Sequence, residues 1–372
     1  MPARPDLRTA MPITLADLRT HALAHSLFTP TTLGRAIARL GFVQADPIRA
    51  PARAQDLTLR HRVKDYAAGD LERRYPTLPI EEDFFVNYGF LPRATHALMH
   101  PRKPRTVWPA VRRRQAESVL AFVRERGVVH PREVDAEFAH GKVRNWFGGS
   151  SNASTQLLDG MHYRGLLRIA RREGGVRLYA AREATPPPTD PDAALDALLD
   201  VAVAKYAPLP AATLGWLASG VCVGAPQWRG ERARMLERAR ARLPSTRVDG
   251  VDWFWPAGEN PLAARHQEKA PHEGVRLLAP FDPVVWDRRR FELFWGWAYR
   301  FEAYTPACKR VRGYYALPLL WRDAVIGWGN LALRDGCLVP ELGYVAGRAP
   351  RGAAFRRELD AEIERLKVFL GL

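Results

Sequence analysis

The sequence predicts an α+β fold, in which tandem helix–turn–helix units precede an antiparallel β-rich module at the C-terminus. Amphipathic helical segments recur in groups along the chain, and two groups are followed by strand pairs around Gly174-Gly175 and Asp249-Gly250. The tail then changes to short aromatic stretches broken by Gly, Pro and Asp. Because 372 residues are too many for one ordinary core, two to four domains are expected.

The first unit, residues 1–105, starts with a helix that Thr14 caps and that runs to about His25. A second helix starts at Thr31 or Thr32 and ends at Gly41. An extended stretch, 42–48, precedes an arginine-rich helix over 49–62, and the aromatic residues beyond it mix short helices and strands.

The second unit, residues 106–184, shows the pattern most clearly. A long amphipathic helix closes at Gly127, a second has Pro131 in its first turn, and a third ends at Gly165. Two alternating strands around Gly174-Gly175 complete the order helix, helix, helix, hairpin, which is typical of a winged helix.

A proline-rich linker, 185–192, leads to a third winged-helix unit over residues 193–258. The β-rich module occupies residues 272–372. Its segments 275–287, 299–307 and 313–345 read as short aromatic strands of a small antiparallel barrel or sandwich, and an amphipathic helix closes the chain.

Composition narrows the class of protein. Cys222, Cys308 and Cys337 form no CxxC pair, which argues against a disulfide framework or a zinc ribbon. No window reads as a membrane span or a secretory signal, so we expect a cytoplasmic, nucleoid-associated protein without a membrane partner. Met11 is a candidate start, because the residues before it read as an unstructured extension.

The net charge points to a polyanionic partner. Lys+Arg 56 against Asp+Glu 40 gives +16, and nucleic acid is the first candidate. Seven of the basic residues are Lys and 49 are Arg, a bias that genomic base composition also produces. Charge and winged helices together favour DNA contact, although winged helices also serve as protein–protein scaffolds.

Motifs for most kinds of catalysis are missing. The sequence has no GxxxxGK[ST], GxGxxG or GxSxG pattern, and its ten histidines do not occur at HExxH or HxH spacing. We therefore predict neither a cofactor nor a metal site.

An acidic candidate remains at Gln44-Ala45-Asp46, where residues two apart in a strand project to the same side. An amide beside a carboxylate suits holding and deprotonating a water, but Asp46-Pro47 is also a common turn starter and Gln-x-Asp a three-residue coincidence.

Two segments carry a resemblance to a known family. LGFVQADPI lies near the N-terminus, and a longer block from LLAPFDPVVWD to GYYALPLLWRDAVIGW lies near the C-terminus. With them the sequence resembles the winged-helix DNA glycosylases of the AlkZ/YcaQ type over most of the chain. The family pattern is Gln-Φ-Gln in one branch and Gln-Φ-Asp in the YcaQ-like branch, where Φ is apolar. Gln44-Ala45-Asp46 matches the second, with a small residue as Φ.

The resemblance implies three tandem winged helices with a β-rich module, acting on double-stranded DNA that contains alkylated or crosslinked purines. It implies a monofunctional glycosylase that hydrolyses the N-glycosidic bond of N7-alkylated purines and unhooks interstrand crosslinks. We expect Asp46 to be the general base and oxocarbenium stabiliser and Gln44 to orient the water. A monomer is expected, because lesions lack two-fold symmetry.

Polar and basic residues of two segments are predicted to contact the phosphates of DNA. The alternative is that these residues form a solvated surface and contact no DNA. They are Arg144, Asn145, Asn152, Arg164, Arg168, Arg171, Arg172, Lys309, Arg310 and Arg312. Asp282 is expected to cap or brace a turn, and Trp253 to lie in the core. A non-enzymatic winged-helix transcription regulator is the main alternative function, and a protein-binding scaffold is a third.

Overall fold

A computed structural model describes residues 12–104, 106–139, 141–144, 149–263 and 274–372. The candidate start at Met11 and the predicted DNA contact Asn145 lie outside the described residues. No helix in those ranges is both long and apolar enough to cross a membrane.

The N-terminal segment combines short helices with a three-stranded antiparallel sheet of order β1-β3-β2. Its elements are α1 (Leu15–Ser26), α2 (Leu33–Leu40), β1 (Val43–Gln44), α3 (Ala54–Leu59), α4 (Asp70–Arg74), β2 (Ile80–Phe84), β3 (Tyr88–Pro92) and α5 (Arg93–Leu98). The predicted ends of the first two helices are confirmed. Thr14 and Asp17 form a capping box at α1, and Gly41, with φ 64°, ends α2 in the left-handed conformation.

The predicted arginine-rich helix over 49–62 is wrong in extent, because helix α3 covers Ala54–Leu59 alone. Pro51 explains the late start. A proline disfavours the helical conformation of the residue before it and cannot donate a backbone hydrogen bond, so the helix begins only beyond it.

The middle segment confirms the predicted order of three helices and a hairpin. Its elements are α6 (Ala110–Arg126), β4 (Val128–Val129), α7 (Pro131–Phe138), β5 (Lys142–Arg144), β6 (Ser150–Asn152), α8 (Ala153–Tyr163), β7 (Leu167–Glu173) and β8 (Val176–Ala181). Strand β8 lies between β4 and β7 in one antiparallel sheet. The small ladder β5–β6 was not predicted.

A third group repeats this arrangement. It contains α9 (Pro191–Tyr206), β9 (Leu209–Pro210), α10 (Ala211–Gly224), α11 (Arg232–Arg242), β10 (Ser245–Val248) and β11 (Val251–Phe254). Strand β11 pairs with both β10 and β9. Trp253 is fully buried and stacks on Phe294 with ring centroids 5.2 Å apart, so its predicted place in the core is confirmed.

The C-terminal segment is a four-stranded antiparallel sheet of order β12-β13-β14-β15, covered by a long final helix. Its elements are β12 (Val275–Leu277), α12 (Pro283–Trp286), α13 (Arg288–Trp295), β13 (Leu317–Trp321), β14 (Ala324–Arg334), β15 (Cys337–Tyr344) and α14 (Ala353–Leu370).

Part of the predicted β-structure in this segment is wrong. Within the predicted strand segment 275–287, Pro283–Trp286 form helix α12; helix α13 follows it, and the described residues 296–316 contain no strand. Asp282 and Asp287 explain the helices, because each side chain accepts backbone N–H groups at the first turn of one of them. The predicted capping role of Asp282 is thereby confirmed.

Buried carboxylates on strand β2 connect the N-terminal and middle segments. Glu81 pairs with Arg168, and Glu82 pairs with Arg172 and with Arg177. Part of the large arginine content therefore serves internal ion pairs between segments and is not free surface charge.

Candidate active site

Strand β1 carries Gln44 to one edge of the N-terminal sheet. Val43 and Gln44 pair with Phe90 and Gly89 of β3. A Cβ atom at Gly89 would lie 2.2 Å from the carbonyl oxygen of Val43, so only glycine allows the two strands to approach this closely. The ladder is shorter than the predicted extended stretch 42–48, although Ala45 still donates its N–H to Tyr88 O at 2.9 Å.

Asp46 follows directly after this strand and is 8% exposed. Its backbone N–H donates to Gln55 Oε1 at 3.2 Å, and its own Oδ1 accepts the N–H of Ile48 at 2.9 Å. Burial raises the pKa of the Asp46 carboxyl above its ordinary value, and the hydrogen bond from Ile48 opposes that rise. The result is a nearly buried carboxylate whose basicity is increased.

A cleft of about 460 Å³ opens beside Gln44. Its walls come from α10, α12 and the loop before α12, and they include Trp216, Phe281 and Trp286. Trp216 is 49% exposed and meets Trp286 edge to face with ring centroids 4.9 Å apart. Gln44 Oε1 is buried and has no hydrogen-bond partner among the described residues. Gln44 therefore places an amide side chain in the wall of the cleft.

The loop before strand β13 lies close to Asp46. Tyr315 in this loop is buried, and its pKa is raised by burial first and then by the negative charge of Asp46. Glu302 shapes the loop, because its Oε2 accepts the backbone N–H groups of Val311, Arg312 and Gly313 at 2.8–3.2 Å.

Three residues of this loop were predicted to contact DNA. Lys309 is exposed, and Arg310 lies over the ring of Tyr314 at 5.0 Å. Arg312 is held between the rings of Trp297 and Trp328. The structure therefore places basic and aromatic residues on the loop whose Tyr315 lies near the Asp46 carboxylate.

The residues of the middle segment that were predicted to contact DNA interact mainly with other side chains of the protein. Arg164 lies over the Trp108 ring at 3.7 Å, and Arg171 pairs with Glu173 at the exposed end of its hairpin. Arg168 and Arg172 are bound to the acids of β2 as described above. Asn152 donates to the Asp135 carboxylate, and Arg144 ends strand β5.

Sequence reasoning did not identify Lys205 as a residue that supports the site. Its Nζ is buried and donates to Phe42 O at 2.6 Å, directly before strand β1, and burial holds the pKa of the amine well below its usual range. The available signal was a lysine on the otherwise apolar face of DALLDVAVAKYA. This side chain braces the strand that carries Gln44.

Clusters of possible metal ligands lie away from Gln44 and Asp46. In the described part of the chain, one such cluster is Asp83, His96 and His100, and the other is His21, His25 and Glu259. Neither includes a residue of the cleft.

Comparison with known proteins adds a family and a fold. A family model described as "DNA glycosylase AlkZ-like" matches residues 37–369. The chain is also similar to the solved structure of Streptomyces sahachiroi DNA glycosylase AlkZ, with a TM-score of 0.60 and 15% sequence identity. That match covers 97% of this chain and 98% of the other, and at this identity it shows a shared fold.

Proposed function

Because the chain belongs to the AlkZ-like DNA glycosylase family, we propose that it hydrolyses the N-glycosidic bond of N7-alkylated purines with Asp46 as general base. It is a DNA glycosylase, and the non-enzymatic regulator is set aside. The finer proposal includes unhooking of interstrand crosslinks, and in it Gln44 orients the attacking water.

The chemistry of the substrate favours a carboxylate in this role. An N7-alkylated purine is positively charged, so its glycosidic bond is already weakened and the leaving base needs no strong acid. As the bond breaks, positive charge develops on the sugar, and a nearby carboxylate stabilises it. The same carboxylate can accept the proton of the water that attacks C1′.

The observation that carries this proposal is the buried, more basic carboxylate of Asp46, two residues from Gln44, which lines an open cleft. A raised pKa makes the ionised Asp46 carboxylate a better proton acceptor. The unpartnered Gln44 Oε1 can accept a hydrogen bond from the same water.

We also propose that the enzyme is monofunctional. A lyase needs an amine that attacks the sugar, but Lys205, near strand β1, is buried and its Nζ is hydrogen-bonded to Phe42 O. It is therefore out of reach of DNA and serves the strand instead.

The three helical groups with their hairpins are proposed to be winged helices, with domain limits of 1–105, 106–184, 193–258 and 272–372. We infer that DNA approaches along the loop with Lys309 and Arg310, beside Asp46, and that Arg168 and Arg172 join segments and do not contact phosphates. Recognition of single lesions is consistent with a monomer.

The test of the function is base release. Purified protein incubated with methylated duplex DNA is expected to release 7-methylguanine, and a duplex with an N7-linked interstrand crosslink is expected to be unhooked. DNA binding without release of any base would contradict the proposed activity. It would favour the alternative function of a non-enzymatic DNA-binding regulator.

The pH profile of excision should report Asp46. Because burial raises its pKa, the carboxylate is protonated and inactive at a higher pH than an exposed aspartate, whose pKa is about 3.9. We expect kcat/KM to fall on the acid side with a midpoint above that value. Single-turnover rates, corrected for spontaneous depurination at each pH, measure it. An acid limb at or below the ordinary aspartate value would contradict the assignment.

Salt dependence should identify the basic loop as a DNA contact. Replacing Lys309 with alanine is expected to weaken binding and to reduce the slope of log K against log salt concentration by about 0.9, because one phosphate contact is lost. Fluorescence anisotropy with duplex DNA provides the measurement. Lys367→Ala, on helix α14, is the matched control and should leave the slope unchanged. Equal slopes for wild type and Lys309→Ala would exclude this loop.

A further inference from the structure

A polar cluster away from the cleft joins helix α1 to the segment that follows hairpin β10–β11. His21 and His25 are four residues apart on α1, so their side chains lie on the same helix face. Glu259 approaches both: its Oε2 is 2.9 Å from His21 Nε2, and its Oε1 is 3.3 Å from His25 Nδ1. The His21 side chain is fully buried, whereas those of His25 and Glu259 are 18% and 21% exposed.

We propose that His21, His25 and Glu259 bind a divalent transition-metal ion of the zinc type. One donor atom from each residue lies within 4.8 Å of the others. The two His–Glu distances of 2.9 and 3.3 Å are close to the donor separations around an ion with bonds of about 2.0–2.2 Å, the distances of zinc to imidazole nitrogen and carboxylate oxygen. The partly exposed side of the cluster leaves a fourth position for water.

The surroundings of His25 support a metal. Its Nε2 lies against the carbonyl oxygen of Ala204, which can only accept, so Nε2 carries a proton. In the neutral ring, Nδ1 then directs a lone pair toward the Glu259 carboxylate, another acceptor. A cation between the two satisfies both. A metal-binding imidazole commonly donates its other N–H to a backbone carbonyl in this way.

Glu259 provides a second, independent observation. Its Oε2 atom is buried, and His21 Nε2 lies 2.9 Å from it. A buried carboxylate is costly unless positive charge compensates it, and a bound cation would supply that charge.

The second His-containing cluster differs from the first because arginine side chains already neutralise it. At Asp83, His96 and His100, the carboxylate already has a cation, because Arg102 lies 3.1 Å from Asp83 Oδ2. Arg182 lies 3.3 Å from His96 Nε2 as well. The guanidinium groups occupy the place that an ion would need. At Glu259, the described ion pairs are with the two histidines alone.

The position of the proposed ion indicates a structural role. Ala204 immediately precedes Lys205, whose Nζ holds Phe42 O behind strand β1. An ion at His25 would therefore fix α1, α9 and the segment after β11 in one arrangement behind the strand that carries Gln44. No step of base excision requires it.

Zinc binding by the full chain tests the proposal. After removal of metal with a chelator, titration with Zn²⁺ is expected to show one equivalent bound and a rise in Tm, because an ion that binds the folded state stabilises it. Glu259→Gln keeps the side-chain shape and should lower the affinity for Zn²⁺ by more than about 100-fold, beyond the loss typical of an outer-sphere change. His25→Ala should do the same.

His130→Ala removes a histidine outside the cluster and should keep both the single equivalent and the zinc-dependent rise in Tm. Co²⁺ absorption in the visible range reports coordination independently of stability. The absence of stoichiometric binding by the wild type would overturn the proposal, as would unchanged affinity in both Glu259→Gln and His25→Ala. The cluster would then be a His–Glu ion pair only.

Discussion

Replacing Asp46 with asparagine is expected to slow the release of 7-methylguanine by about 10²–10⁴-fold, the usual contribution of general acid–base catalysis. Asparagine can still accept the Ile48 N–H through Oδ1, so the local backbone is kept, but it can neither take a proton nor stabilise positive charge on the sugar. Single-turnover assays on methylated duplex DNA measure the loss.

The same substitution should not reduce stability. The folded-state pKa of Asp46 is raised, so the ionised group costs free energy of folding at pH values above that pKa, and this cost is absent below the unfolded-state pKa. Asparagine carries no such charge. At pH 7 the Tm of Asp46→Asn is therefore expected to equal or slightly exceed that of the wild type. Loss of activity together with retained stability is typical of a catalytic group.

Asp56→Asn is the matched control, because Asp56 is another buried aspartate of the same segment whose pKa is raised by burial. It accepts hydrogen bonds from Tyr66 and Gly69. It should retain base release at a temperature where it is folded. Wild-type rates in Asp46→Asn, or equal losses in both variants, would contradict the role given to Asp46.

The largest effect on stability is expected at the pair formed by Arg62 and Asp282. Both side chains are fully buried, and two parallel hydrogen bonds of 2.7 and 2.9 Å connect them across the N-terminal and C-terminal segments. Replacing Asp282 with alanine leaves the guanidinium buried without its counter-charge, which typically costs about 3–5 kcal/mol of the free energy of unfolding. Urea denaturation followed by circular dichroism measures this loss.

An exposed pair provides the comparison. Arg247 and Asp252 lie 3.7 Å apart on hairpin β10–β11, with 70% and 53% of their side chains exposed. Asp252→Ala should cost about 0–1 kcal/mol, since solvent screens the attraction. A small loss in Asp282→Ala, similar to that in Asp252→Ala, would show that the buried pair does not hold the segments together.

Much of the fold was predictable where the signal is local. Helix α6 and hairpin β7–β8 were found from apolar periodicity, Gly127 and the Gly174-Gly175 turn. Helices α12 and α13 were not, because their aromatic residues resemble strand sequences. Their actual signal was the capping side chains of Asp282 and Asp287, which compete with strand formation by binding the N–H groups of a first turn.

In the candidate site, too, the local motif was predictable and the contacts between distant segments were not. Gln44 and Asp46 were identified from three consecutive residues, because a motif on one strand needs no knowledge of contacts. The cleft beside them was not predictable, since Trp216 and Phe281 come from segments far along the chain. Glu259 was missed as a partner of His21 and His25 for the same reason, and Lys205 because its role depends on the carbonyl oxygen of Phe42.

The α+β class, most of the helices and the Gln-Ala-Asp motif could be predicted from the residues alone, and the net charge suggested a polyanionic partner. The basicity of the Asp46 carboxylate could not be predicted in this way, because its pKa depends on desolvation by burial in the folded chain. Folding also determines which arginines are committed to internal acids and which remain on the surface. Composition counts charges, whereas burial and pairing determine which of them are available to DNA.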